Sequence, residues 1–232
     1  MSETVKESLE KEFELERMIL FSDAVFAIAI TLLILEIKFP ELPENFDNIS
    51  VLNFFKPTLI HFLAFMISFF FIGSSWARHL TLCKFLKQYN NTVIFYNLLL
   101  LFFIVTFPFS ISAFIDNING AFIVAIGIYL SNILFVVFAQ FLFVHYILKT
   151  NTALSTPGSE DEKLYFYIKA KYSLVMITAS IAVMIIVAII SKGNLLAVAF
   201  SLYVLPLFAL VIKRKVKKYK PKNLKSVNSA IN

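Results

Sequence analysis

Long uncharged stretches alternate with short polar ones along the chain, and the alternation predicts membrane-crossing helices. The first stretch, residues 18–39, is 22 residues long and would extend about 33 Å as a helix, enough to cross a bilayer. Its body, residues 24–35, carries no charge. A second span is expected at 57–77, ending in the polar run Ser74, Ser75, Trp76, Arg78, His79. A third, 91–114, stops at Asp116, and Pro108 should bend or end it near that limit. Residues 117–148 run 32 positions without a formal charge and read as one long helix. The polar connector 149–171, with its Ser-Thr-Pro-Gly turn and the acids Glu160 to Glu162, should lie outside the lipid. Two further spans, 172–191 and 193–212, follow with almost nothing between them and would form a tight hairpin, the second kinked at Pro206. The expected fold is therefore an all-α membrane protein with six transmembrane helices. Residues 1–16 form a charged helical extension, 17–214 the membrane domain and 215–232 a basic tail.

Composition agrees, since 59% hydrophobic residues and 27 phenylalanines exceed what a soluble core of this length needs. The first 16 residues hold six glutamates, and no small-residue cleavage site follows the first apolar run, so that run is expected to stay in the membrane. The net charge of +6 is distributed by side. With six spans, Lys and Arg number three before span one, three between spans two and three, four between four and five, and eight in the tail. Only Lys38, Lys56 and Lys192 fall on the other side. The positive-inside rule then puts both termini in the cytoplasm of a multi-pass cell-membrane protein. The outer side carries Glu36, Glu41, Glu44, Asp47 and Asp116, a mildly acidic mouth that would concentrate cations. The basic tail suits anionic membrane lipids, and no nucleic-acid partner is expected. The single cysteine, Cys83, excludes an internal disulfide, and no tightly bound metal or cofactor is expected. Gly-x-Ser-x-Gly, His-Glu-x-x-His, P-loop and TVGYG patterns are all missing from the sequence, so neither an enzyme nor the usual potassium-filter architecture is expected.

Chemistry concentrates on the first span. Asp23 is a carboxylate inside a membrane helix, about 9 Å along the axis from Arg17 and thus nearer one interface than the midplane. Ile28, Leu32 and Leu35 form an apolar stripe, and Asp23 stands about 140° round from Ile28, so it points elsewhere. Trp76 and His79, at i and i+3 on the second span, fall at the depth of Asp23; with Arg17 they are its candidate partners. Taken alone, the stripe reads as ordinary packing or lipid contact, Asp23 as an interhelical bond, Thr31 as bonded to its own backbone, and His79 as an anchor. His61 and His145 read as interfacial or packing residues.

Arg17, then Phe21-Ser22-Asp23, then an Ile/Leu-rich span, with Trp76-x-x-His79 closing the second span, resembles the signature of the transmembrane protein 175 family. One Phe-Ser-Asp is present, so the chain is similar to the six-span prokaryotic form. The resemblance implies a homotetramer whose four first spans line a central pore. It implies a potassium channel with apolar constrictions at Ile28, Leu32 and Leu35, a hydroxyl at Thr31 tied to potassium preference, and potassium as permeant ion. Arg17, Phe21, Ser22, Asp23, Trp76 and His79 then form the polar network that fixes the pore helix. Two rivals use the same residues: a proton-permeable channel, or a proton-coupled secondary transporter working through Asp23 and His79.

Overall fold

The computed structural model describes residues 3–37, 51–117, 122–157 and 160–191, with 194, 197, 200–201 and 213–221. The expected sixth span with Pro206, the loop 38–50 and the end of the basic tail fall wholly or largely outside the described residues. The regular elements are helices: α1 Glu3–Leu32, α2 Val51–Cys83, α3 Asn91–Val105, α4 Phe107–Asp116, α5 Phe122–His145 and α6 Glu160–Ile190. No strand occurs among the described residues, only an isolated bridge between Leu86 and Ser155. Among the described residues, five stretches are long and apolar enough to cross a membrane: Glu10–Glu36, His61–Cys83, Asn91–Asp116, Ile123–Thr150 and Glu160–Ile190.

α1 runs unbroken from its glutamate-rich start into the apolar stretch, as its sequence predicts, then tightens into a 3₁₀ turn at Leu33–Glu36. The third span breaks where Pro108 requires it. Proline has no N–H and its ring crowds the carbonyl four residues back, so α3 ends at Val105 and α4 restarts at Phe107. Asn132 on α5 straps the break, accepting from the Thr106 hydroxyl at 3.2 Å and donating to Ser110 Oγ at 3.0 Å. The fourth span is a single helix, α5, ending in a π turn at Tyr146–Thr150.

One boundary departs from the sequence expectation. The connector assigned to 149–171 is helical from Glu160 onward. Glu160, Asp161 and Glu162 crowd the first turn, where carboxylates favour the positive end of the helix dipole, and Phe166 and Ala170 are buried.

Within the chain, α5 is central, packing on α3, α4 and α6. α1 lies to one side against α2 and α3. The short connectors meet at one end of the bundle. Lys87 N donates to Leu154 O and Thr156 N to Phe85 O, each at 2.8 Å, which ties the α2–α3 connector to the α5–α6 connector. Lys163 Nζ, buried, donates to Thr156 O at 2.6 Å and Glu160 Oε1 at 2.7 Å. Tyr89 OH donates to Glu14 Oε2 at 2.7 Å, bringing the N-terminal part of α1 to the same end. That hydrogen bond pushes the Tyr89 phenol above its ordinary range. Deeper, Phe107 is fully buried, stacked on Phe71 at 5.3 Å and edge-on to Tyr129 at 6.0 Å.

Because lipid is as apolar as a helix interior, a lost buried ring costs the cavity rather than the transfer from water. Phe107→Ala should therefore lower unfolding stability in detergent by about 2 kcal/mol, below the usual soluble-core loss for Phe→Ala, as read by thermal or denaturant unfolding.

Candidate functional site

α1 buries one face and leaves the other open. Ser22, Phe26, Ala29 and Leu33, spaced four, three and four apart, are essentially fully buried against the rest of the chain. On the opposite side Ile28, Leu32 and Leu35 are 57%, 43% and 72% exposed. The 3₁₀ turn refines this face: three residues make a full turn there, so Leu35 eclipses Leu32 rather than falling back round the helix. The exposed residues Arg17, Phe21, Ala24, Ile28, Thr31 and Leu35 alternate four and three apart, the spacing of a seam between supercoiling helices. Ile28 and Leu35 of the expected stripe thus belong to a longer seam, with Leu32 at its flank and Ala24 a small residue in it that sequence reasoning passed over. Thr31 Oγ1 donates to Ile28 O at 2.9 Å, which commits its proton and leaves its oxygen as an acceptor on the exposed side.

The buried face is fixed by a polar knot. Asn97, on α3 and 1% exposed, sits between α1 and α2. Its Nδ2 donates to Ser22 Oγ at 2.8 Å, and Ser22 Oγ donates to Met18 O at 2.9 Å. Its Oδ1 lies 2.9 Å from His79 Nε2. Assigned from this network, the Nε2 of His79 carries the proton and donates. Phe26, Phe143 and the Cys83 sulfur surround the His79 ring. Beside the knot, Trp76 Nε1 donates to Asp23 Oδ1 at 2.8 Å. Three helices are therefore joined at one depth: α1 by Ser22 and Asp23, α2 by Trp76 and His79, α3 by Asn97.

The structure brings Ser22, Asp23, Trp76 and His79 together. Arg17 and Phe21 stand apart from the knot, exposed on the seam face. Asp23 and His79 engage different partners. His145 Nδ1 meets Tyr167 OH at 3.2 Å, a packing role. Sequence reasoning missed Asn97; the available signal was an amide within a run of Leu, Phe and Ile, a group that needs a partner in a membrane. It read Arg78 only as part of the polar edge of the second span, whereas its Nε donates to Gln140 Oε1 at 2.7 Å. Among the described residues no group of three His, Cys, Asp or Glu could hold a metal ion.

The family profile described as the endosomal/lysosomal potassium channel TMEM175 matches residues 17–108, which hold every member of the knot. A potassium channel of Chryseobacterium sp. is 37% identical over 92 residues, 40% of this chain and 44% of that one. A potassium channel of Chamaesiphon minutus is 37% identical over 101 residues, 43% of this chain and 48% of its own length. The chain thus spans about half the length of the curated relatives it matches. The fold is similar to the crystal structure of a lysosomal potassium-selective channel TMEM175 homolog from Chamaesiphon minutus, with a TM-score of 0.67 at 22% identity. That likeness covers 88% of this chain and 98% of the other.

Two outcomes follow from the knot. Asn97→Leu leaves Ser22 and His79 without their partner and should cost about 2 kcal/mol in thermal unfolding. Trp76 is the only tryptophan, so its emission reports the surroundings of this one ring, the Asp23 contact among them. Asp23→Ala should change the emission maximum and cost about 1 kcal/mol, whereas Asp23→Asn, which keeps an acceptor oxygen, should move both much less.

Proposed function

Taking as premise that residues 17–108 carry the transmembrane protein 175 family pattern, we propose that the chain is a passive, potassium-selective cation channel. In this reading four copies assemble about an axis lined by α1. The supporting observation is the open face of that helix. α1 lies at one side of the described helices, which leave the apolar residues Ile28, Leu32 and Leu35 on its open face exposed. A single copy cannot enclose a conduit with such a helix; a ring of copies can.

In this reading the residues take distinct roles. Rings of Ile28, Leu32 and Leu35 form an apolar neck that conducts only when wet, so its width sets the gate. Thr31 presents hydroxyl oxygens within the neck, and their lone pairs replace part of the water an ion gives up. Potassium holds its hydration less tightly than sodium and is favoured where stripping dominates. The knot acts at a distance from the axis: by pinning Ser22 and Asp23 it sets the rotation of α1, and thereby which residues face the ions. The charge pattern supports, in this reading, cytoplasmic termini and an outward Glu36 end of α1. A proton-coupled transporter would need Asp23 and His79 to exchange a proton; each is instead held by a neutral donor or acceptor of its own, Trp76 and Asn97.

In planar bilayers, Ile28→Asn and Leu35→Asn should each raise single-channel current by widening and wetting the neck. Under bi-ionic conditions the unmutated protein should show a reversal potential favouring potassium over sodium. Unchanged currents in both variants, or a reversal potential that follows pH and ignores potassium, would refute the proposal.

A further inference from the structure

Arg78 is a half-buried cation on α2, held in a membrane helix by neutral groups. Its Nε donates to Gln140 Oε1 at 2.7 Å, Nη2 to Ser75 Oγ at 2.9 Å and Nη1 to Ser74 Oγ at 3.3 Å. Gln140 is itself fixed, donating to Ser75 O at 3.0 Å. A guanidinium has five N–H donors, so these bonds aim the group and leave donors on its outer edge. Neutral acceptors satisfy hydrogen bonds but leave the charge unmatched, which is costly away from bulk water.

The outer edge of Arg78 faces a cavity of about 680 Å³ between α2, α6 and the α5–α6 connector. Lys84 and Lys169 also line it, against one carboxylate, Glu162; Thr81 and Tyr165 add hydroxyls. Arg78 lies five residues before the end of α2 and Lys169 nine after the start of α6, both near the end where the polar connectors meet. Cations near the polar end of two membrane helices are suited to a lipid phosphate. A second cavity, largely apolar and about 160 Å³, lies deeper among α2, α5 and α6, lined by Ile67, Phe71, Leu130, Ile133, Ile181 and Met184, with Ser180 and Ser201 also in its wall. Ile67 is eleven residues before Arg78, directly beneath it on the helix and about 16 Å deeper. A cationic chamber at the interface above an apolar slot has the division of a phospholipid, charged head over hydrocarbon tail.

We propose that this cleft binds an anionic phospholipid, its phosphate on Arg78, Lys84 and Lys169 and one acyl chain in the α2–α6 slot. Bound there, the lipid bridges α6 to α2, two helices that meet mainly through α5. The site is independent of the pore reading, because it needs only that α2 and α6 cross a membrane.

The test is a thermal-shift titration of the purified full-length chain in neutral detergent with short-chain phosphatidylglycerol, matching phosphatidylcholine, and inorganic phosphate. Phosphatidylglycerol should raise the Tm saturably, and the other two should not at equal concentration. Lys84→Gln and Lys169→Gln leave Arg78's bonds to α5 untouched and should each weaken phosphatidylglycerol binding about fivefold, while Glu162→Gln strengthens it. Ile181→Trp, which fills the apolar slot, should also weaken it. Equal shifts from phosphatidylcholine, or unchanged phosphatidylglycerol binding in both lysine variants, would overturn the site. Inorganic phosphate binding as tightly as the lipid, unaffected by Ile181→Trp, would overturn the lipid in favour of a free anion.

Discussion

The orientation of α1 depends on the hydrogen bonds that converge on Asn97. Inside a bilayer, burial of apolar area does little to choose between faces of a helix, because lipid solvates leucine as well as another helix does. Polar groups choose, since each one left unmatched in hydrocarbon costs far more than an exchanged methyl contact. Asn97 is the only side chain in the knot that reaches both α1 and α2: its amide nitrogen takes Ser22 and its amide oxygen takes His79. Rotating α1 by one residue would bury Phe21 or Asp23 where Ser22 now sits and break the Asn97–Ser22 bond. The second link, Trp76 to Asp23, lies on the more exposed side and adds an orienting arm at the same depth.

A similar device operates at the α3–α4 break. Pro108 removes one backbone bond, and the freed geometry is held by Asn132 gripping Thr106 on one side and Ser110 on the other. The break is therefore a fixed bend. Its position matters because α4 and the 3₁₀ turn at the end of α1 pack together, so the bend helps to set where Leu33 is buried and where Leu35 is left open. Among the described residues, Ser191 Oγ is the one buried side-chain polar atom lacking a partner, as expected where unmet polar groups are so expensive.

The five spans within the described residues were legible because long, almost uncharged apolar runs have few other uses, and Pro108 announced its break because it lacks an N–H. Asp23, Trp76 and His79 were legible as a group, since a carboxylate at interfacial depth needs donors and the second span ends in two. Asn97 was not, because nothing in its local pattern marks which way an amide in an apolar run will face; that depends on how α3 packs against α1. The start of α6 was misread for a related reason. A charged first turn resembles a solvent loop by composition, and only the burial of Phe166 and Ala170 identifies residues 160–171 as helix. Arg78 was read as the polar edge of a span, whereas Gln140, sixty-two residues away, draws it inward.

The open face of α1 connects these local devices to assembly. A helix that buries Ser22, Phe26, Ala29 and Leu33 on one side and exposes an apolar seam on the other is stable in lipid as a single copy, so hydrophobicity alone does not demand a partner. What favours a ring, on the channel reading, is shape. Alternating four- and three-residue spacing keeps one seam facing a common axis as helices supercoil, and Ala24 lets backbones approach near the Asp23 end. At the other end the 3₁₀ turn stacks Leu35 on Leu32, which lengthens the greasy neck along the axis without widening it. On that reading the neck lies in the part of α1 farthest from the knot. Small rotations about the Asn97 anchor would be felt there as changes in which side chains line the neck, so an apolar gate and its polar anchor would work as a single lever.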